Sequence, residues 1–165
     1  MNDEHKRSID DCYDELAKIK KWIDKHPVDT NVKFLVAYAV VKSSGTIEIV
    51  LKSILHEFLS EECKDETRTF IEKNVVDVSC NPSTGNIEKL LEQIDASRKT
   101  EFACLTKGTQ KKSDLNSLVG LRNDIAHGRD ISPSINTVKR YYESGVEIIN
   151  LMDSLLYDKE TGGIV

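Results

Sequence analysis

Hydrophobic residues recur at three- and four-residue steps along most of the chain, which is the period of an α-helix with one buried face. The first stripe predicts a helix over about 3–26, which Pro27 ends because proline disfavours helical backbone at the residue before it. A second stripe predicts a long helix over about 29–59. Residues 32–41 are apolar on almost every side, so we expect this helix to be the central and most buried one.

The remaining pattern assigns six further segments: a polar helix over 61–76, a break over 78–85, a short helix over 84–94, an irregular charged stretch over 95–112, and helices over 113–128 and about 135–157. The last helix follows Ser132-Pro133-Ser134, a start signal of capping residue and proline. The tail, 158–165, is expected to be frayed. With eight Gly and three Pro, the sequence predicts one all-α domain over 1–165, a bundle of long antiparallel helices with shorter connecting helices.

The composition and net charge of the chain limit the classes of function that it can have. The formal charge of −5 argues against a general nucleic-acid-coating protein, since such proteins are normally basic, but it does not exclude local RNA binding in a small cleft. No segment approaches the apolar length of a membrane span and the first residues lack a signal-peptide core, so we expect a cytoplasmic protein without a membrane partner. The four cysteines lack CxxC spacing, which indicates reduced thiols. No metal or other cofactor is expected.

The stretch 113–128, SDLNSLVGLRNDIAHG, carries most of the candidate chemistry. Ser113 or Asp114 is expected to cap its N-terminus. Gly128 is expected to form a left-handed cap after the last turn, because glycine has no Cβ to oppose that conformation. The expected buried face consists of Leu115, Leu118, Val119, Ile125 and Ala126.

Arg122, Asn123, Asp124 and His127 fall in the last turns of this predicted helix. At about 100° per residue, Asn123 and His127 lie one turn apart on one face, with Arg122 beside them. Arginine holds phosphate oxygens and histidine moves protons near neutral pH, so the set can bind and cleave a phosphodiester. The alternative interpretation is an ordinary solvated face, which uses the same residue types.

Residues outside this stretch provide further candidates. Glu48 is either a solvated charge or the partner of a basic group across the core. Gly45 beside it predicts a kink or the close approach of another helix. Trp22 is assigned to the core or to an interface rather than to a platform on which bases stack. The cations near the motif are either RNA contacts or surface charges: Lys111, Lys112, Arg129, Lys139 and Arg140.

Three of these features together resemble the HEPN superfamily, and more narrowly its RiboL-PSP-HEPN branch. The first is LRNDIAHG over 121–128, an Arg and a His separated by four residues. The second is SGTIEIVLKSIL over 44–55, which is similar to the small-residue-plus-Glu segment of the branch's long central helix. The third is the order of the predicted helices. The resemblance covers about 30–157.

The resemblance implies metal-independent RNA cleavage in a homodimer, where two copies of the motif line one cleft. Carried over to this sequence, Arg122 would hold the scissile phosphate, His127 would act as general base or acid at the ribose 2′-hydroxyl, and Asn123 would orient the imidazole or the phosphate. Asp124 and Glu48 would support them. Attack by the 2′-hydroxyl predicts a cyclic phosphate, a free 5′-hydroxyl and no action on DNA.

The family further suggests a toxin or phage-defence component, with an antitoxin or another regulatory protein as a partner besides RNA. Some family toxins carry a Tyr two residues after the His, where partner enzymes modify it; Arg129 occupies that position here, which argues against such regulation. Two other functions remain open at this point. One is a catalytically silent domain that binds RNA or protein, and the other is a plain helical dimerisation scaffold.

Overall fold

The structure is a computed structural model that describes residues 1–157; the tail expected to be frayed, 158–165, lies outside the described residues. Within this range the chain is an all-α bundle without strands, as predicted. Its seven α-helices are α1 (Asp3–Lys25), α2 (Val32–Ser60), α3 (Asp65–Ile71), α4 (Thr84–Ile94), α5 (Ala96–Thr106), α6 (Gln110–Ala126) and α7 (Ile135–Tyr157). A π-helical turn, Glu72–Val76, extends α3.

Helix α2 lies at the centre, where α1, α6 and α7 pack around it. Its inward positions, such as Val40, Leu51 and Ile54, have no exposed surface. The expected burial of 32–41 on all sides is wrong, because Phe34 is 63% exposed and Tyr38 48%. These two residues belong to an apolar row on one side of the helix, the α2 outer stripe, which consists of Phe34, Tyr38, Val41 and Ile49.

The length and mean hydropathy of α2 also correct the expectation that no segment could span a membrane. The helix has 29 residues, and its most apolar window has a mean hydropathy of 1.6, which passes the test for a membrane span by length and composition. Half of that window is buried inside the fold. The apolar sequence of α2 is therefore accounted for in part by its place at the centre of the bundle.

Helices α1 and α2 are antiparallel, as predicted for the long helices, whereas α2 and α7 run in the same direction, because both begin at one groove. His5 near the start of α1 lies 3.2 Å from Glu57 near the end of α2, and Glu15 pairs with Lys42 at 3.2 Å. Helices α6 and α7 form a hairpin in which the Ser144 hydroxyl donates a 3.0 Å hydrogen bond to Asp114. This hairpin brings the start of α7 back beside the last turn of α6.

The stretch 95–112 is not irregular, contrary to the prediction. Asp95 caps α5, and its carboxylate accepts a 2.8 Å hydrogen bond from the backbone N–H of Ser97. One apolar side chain, Phe102, is fully buried and attaches this helix to the bundle. Because α5 contacts the core through a narrow face, its sequence lacks the broad apolar stripe from which the other helices could be predicted.

The four cysteines are free thiols, in agreement with the expectation of reduced cysteines: Cys12, Cys63, Cys80 and Cys104. Cys12 is buried between α1 and its neighbours, and burial raises the pKa of its thiol. Cys104 is exposed on α5. A thiol reagent is therefore expected to reach Cys104 long before Cys12.

The close helix approach predicted at Gly45 occurs at Gly145 instead. A Cβ at Gly45 would meet nothing within 4 Å, whereas a Cβ at Gly145 would lie 2.3 Å from Cδ1 of Ile47. Ile47 is 1% exposed, so its Cδ1 cannot turn away into solvent. We expect Gly145→Ala to lower the free energy of unfolding by about 1–3 kcal/mol through overpacking, measured by urea denaturation.

The matched control is Gly45→Ala, the same change in a helix where the new methyl group meets no atom. It is expected to leave stability unchanged or raise it by up to about 1 kcal/mol, because alanine favours helix more than glycine does. Equal stability of the two variants would contradict the close packing of α7 against α2 at Gly145.

Candidate active site

The helix that carries the motif begins earlier than predicted. The side chain of Thr109, not of Ser113 or Asp114, caps α6 by accepting a 3.2 Å hydrogen bond from the backbone N–H of Lys112. Asp114 is instead buried inside the helix, at 2% exposure. Its carboxylate accepts hydrogen bonds from Ser144 and, at 2.8 Å, from the Gln110 amide. Asp114, which the sequence suggested as an N-cap, is instead part of the α6–α7 contact.

The last turns of α6 rise out of the core, which leaves the motif accessible. Leu115, Leu118 and Val119 are buried as predicted, but Ile125 is only half-buried and Ala126 is exposed, so the predicted buried face ends one turn early. The side chains after it follow this change: Arg122, Asn123 and Asp124 are half-buried and His127 is exposed.

The end of α6 is fixed by its backbone. The N–H of His127, the C-cap, donates to the carbonyls of Asn123 at 3.0 Å and Asp124 at 3.2 Å. Gly128 has φ 69°, which confirms its predicted left-handed cap, and its N–H donates to Ile125. The N–H of Arg129 closes the motif with a 2.8 Å bond to Asp124. The backbone of His127 is therefore held while its imidazole faces solvent.

The charged side chains of the motif differ in whether they have an ion-pair partner. Asp124 and Arg129 form a 2.9 Å ion pair, so they largely neutralise each other. Arg122 forms no salt bridge with any described residue, and its guanidinium only donates a long, 3.5 Å hydrogen bond to the Asn123 amide oxygen. A half-buried guanidinium without a carboxylate partner retains its charge for an anionic ligand.

A shallow groove runs along the α6–α7 hairpin beside the motif, with a volume of about 450 Å³. Gly120 and Asp124 form its α6 side, and Ser132, Pro133 and Tyr141 lie across it. Gly120 and Ser132 were not among the sequence candidates. The signal that could have found them is the row of small residues on the exposed face of α6, because small side chains leave space above a helix.

Two of the predicted RNA contacts lie far from the motif. Lys111 pairs with Glu147 of α7, and Lys112 pairs with Glu88 of α4 at 2.8 Å. Both lysines are at the start of α6, which places them about 15–25 Å from Arg122 and His127 along the helix axis. Their charges are neutralised, and the structure does not bring them to the site.

Arg140 also has a structural partner. Its guanidinium Nε lies 3.3 Å from the buried Asp114 carboxylate, and the group stacks over the ring of Tyr141. Lys139, the preceding residue, is half-buried on α7. Arg140 therefore supplies the cation that balances a carboxylate inside the α6–α7 contact, a role different from the predicted RNA contact.

Replacement of Arg140 by Ala is expected to lower the free energy of unfolding by about 1–2 kcal/mol, because the buried carboxylate loses its cationic partner. Urea denaturation measures this loss. Glu147→Gln, which removes an exposed ion pair of the same hairpin, is the control and should cost under about 1 kcal/mol.

Glu48 lies outside the candidate site. Its carboxylate pairs with Lys52 in the same helix at 2.9 Å and accepts a 2.9 Å hydrogen bond from the backbone N–H of Cys80. Glu48 thus anchors the segment between α3 and α4 on α2, and its contacts do not support the role beside the motif that was expected. Among residues 1–157, no group of three or more His, Cys, Asp or Glu side chains could hold a metal ion.

The comparisons with known proteins bear on this arrangement. The model of a protein family described as RiboL-PSP-HEPN matches residues 7–158. This match is wider than the region recognised from the motifs, because it includes most of α1 as well as α2 and the α6–α7 hairpin. No curated protein and no solved structure matches the chain.

Proposed function

Because this chain belongs to the RiboL-PSP-HEPN family, we propose that it is an endoribonuclease that cleaves RNA by 2′-hydroxyl attack, without a metal ion, in a composite homodimer site. The observation that carries the proposal is the presence of a half-buried guanidinium without a carboxylate partner, Arg122, and an exposed imidazole, His127, at one fixed helix end. These two groups supply charge stabilisation and proton transfer, which are the requirements of this reaction.

In the proposed reaction the ribose O2′ attacks phosphorus and the bond from phosphorus to the 5′-oxygen breaks. His127 accepts the proton of the 2′-hydroxyl, or donates a proton to the departing 5′-oxygen. Arg122 binds the non-bridging phosphate oxygens, whose negative charge grows as O2′ approaches. Asn123 positions the Arg122 guanidinium through its amide oxygen. The products are a 2′,3′-cyclic phosphate and a free 5′-hydroxyl.

A second copy of the chain would supply the second imidazole needed when one group accepts the 2′-hydroxyl proton and another donates a proton to the 5′-oxygen. The entering and leaving oxygens lie on opposite sides of phosphorus, and one subunit offers one exposed imidazole beside one uncommitted guanidinium at this helix end. Ser117, Gly120 and His127 share the exposed face of α6, and the small side chains there allow another helix to approach closely. A twofold axis across this face would bring both motifs to one cleft.

The test is cleavage of mixed RNA by the purified protein in excess EDTA. We expect cleavage that EDTA does not reduce, products with cyclic phosphate and 5′-hydroxyl ends, and no cleavage of DNA of the same sequence. Cleavage that requires an added divalent cation, or products with 5′-phosphate ends, would refute attack by the 2′-hydroxyl.

A catalytically silent domain that binds RNA or protein is the second candidate. The observation that favours it is the neutralisation of four of the predicted RNA contacts, because Lys111, Lys112, Arg129 and Arg140 all pair with carboxylates. This function predicts binding without cleavage in the same assay.

We propose that the ribonuclease acts in the cytoplasm as a toxin or phage-defence component. The family supports this biological role, together with control by an antitoxin or another regulatory protein. Expression of the chain in a bacterial host, with and without the intact motif, is the corresponding test. Growth arrest should require both Arg122 and His127.

A further inference from the structure

A second basic region lies on the opposite end of the long helices from the acidic start of the chain. Residues 18–33 contain five lysines and two aspartates, a net charge of +3 in a chain whose formal charge is −5. The structure places them on the last turns of α1 and the first turn of α2, which lie side by side. This region, the lysine edge, consists of Lys18, Lys20, Lys21, Lys25 and Lys33.

Most cations of the lysine edge are free. Lys20 pairs with Asp24 at 2.6 Å, but Lys18, Lys21, Lys25 and Lys33 form no salt bridge with any described residue, and all four are exposed. Lys111 and Lys112 at the start of α6 and Arg140 on α7 are instead paired with carboxylates. The surface best able to attract a polyanion is therefore the lysine edge and not the start of α6.

Two aromatic side chains line an open groove at the lysine edge. The groove lies between α1 and α2 and has a volume of about 490 Å³. Trp22 and Phe34 form its apolar wall, and Lys18 and Asn31 stand at its rim. Trp22 is only half-buried, with its indole stacked on His26 at 4.4 Å between ring centroids. Of the two expected places, core or interface, it therefore does not occupy the core.

We propose that this groove binds a single-stranded segment of the RNA substrate, with bases stacked on Trp22 and Phe34 and phosphates on Lys18, Lys21 and Lys33. Exposed aromatic rings beside unpaired lysines are the combination that binds single strands irrespective of sequence, because every base has a π-face and every nucleotide a phosphate. The proposal rests on the ribonuclease function proposed above, since it assigns the groove to that enzyme's substrate.

Two further grooves lie between the lysine edge and the motif. Lys33, next to Phe34, lines a second groove of about 450 Å³, where the start of α2 meets the connector between α6 and α7. Ser132 and Pro133 of this connector line the second groove and also the groove beside Asp124. A strand held at Trp22 and Phe34 can thus pass over the first turn of α2 and reach the groove beside Asp124, at the helix end that carries Arg122 and His127.

The test uses the fluorescence of Trp22, which is the one tryptophan in the sequence. A 12-nucleotide oligouridylate is titrated into the His127→Ala variant, which keeps the RNA intact. We expect quenching of the indole emission, because a base stacks on it, and an affinity that falls with salt with a log–log slope of about −2 for three phosphate contacts.

Charge reversals at the groove provide the decisive comparison. Lys18→Glu and Lys33→Glu, both exposed side chains, are each expected to weaken binding about tenfold and to reduce the salt slope. Lys111→Glu makes the same change of charge on the opposite end of the bundle and should alter the affinity less than twofold. Equal weakening by Lys111→Glu would overturn the assignment of the groove.

Kinetics separate this proposal from the ribonuclease function. In the enzyme with an intact motif, Phe34→Ala and Lys18→Glu should raise KM for the 12-nucleotide RNA about tenfold, with kcat unchanged. Cleavage of the dinucleotide UpA, too short to reach the groove, should be unaffected. An unchanged KM with normal cleavage would refute RNA binding in the groove but not the ribonuclease function. RNA binding in the groove without any cleavage would refute the ribonuclease function but not RNA binding in the groove.

A second copy of the chain is the other occupant that the aromatic residues could accept. Self-association that Phe34→Glu abolishes, with RNA affinity unchanged, would assign the groove to a subunit contact and overturn the proposal.

Discussion

Arg122→Ala is expected to reduce kcat/KM for RNA about 10²–10³-fold, since removal of one charge-stabilising donor from a transition state typically has this effect. Arg122→Lys should lose nearly as much, because an ammonium cannot reproduce the two parallel hydrogen bonds of a guanidinium to phosphate. Stability should change by under about 1 kcal/mol in both variants, since Arg122 forms only one long hydrogen bond among the described residues. Steady-state cleavage of a labelled RNA and urea denaturation measure the two quantities.

The control for lost positive charge is Arg68→Ala. Arg68 is an exposed arginine on α3 whose nearest carboxylate, Asp65, lies 4.0 Å away. Its removal should leave kcat/KM within about twofold. RNA cleavage that persists in both Arg122→Ala and His127→Ala would exclude the motif as the catalytic site, even though the chain has the fold of the family.

Regular burial is what made the helices predictable from sequence. Helices α4 and α7 begin and end where the apolar pattern places them, because each presents a broad apolar face to one core. Gly128 was also predictable, since a left-handed residue after a helix is governed by local backbone geometry. Features that depend on neighbouring residues or a narrow face were missed, as the helix over Ala96–Thr106 shows.

The candidate site likewise has features that follow from local helical geometry and features that depend on distant residues. The spacing of Arg122, Asn123, Asp124 and His127 on one helix end follows from helical geometry alone, and the structure places all four in the last turns and at the C-cap of α6. The pairing of cations with carboxylates does not follow from it. Lys111 meets Glu147, which is 36 residues away along the chain, and only the packing of α6 on α7 creates that pair. For this reason the sequence overestimated the basic surface near the motif and overlooked the free lysines near Trp22.

The proposed composite site leads to a prediction about two glycines. Gly120→Glu is expected to dissociate the proposed homodimer and to lower RNA cleavage at submicromolar protein at least 100-fold, because the proposed twofold axis would place two carboxylates against each other in a close helix contact. Gly120 lies on the exposed face of α6, two turns before His127, and a Cβ there meets nothing within 4 Å. Sedimentation velocity and a cleavage assay over a range of protein concentrations measure both effects.

Gly45→Glu is the matched control, since Gly45 also lies inside a helix and a Cβ there also meets no atom within 4 Å. Both substitutions should preserve folding, because glutamate favours helix over glycine by about 0.5–1 kcal/mol. Gly45 lies in line with the α2 outer stripe, at the helical spacing of Val41 and Ile49. The opposite result, in which Gly45→Glu dissociates the dimer and Gly120→Glu does not, would mean that the subunits meet through α2. The two motifs could then not share one cleft. Each subunit's Arg122 and His127 would have to act without those of the other subunit, or not act at all.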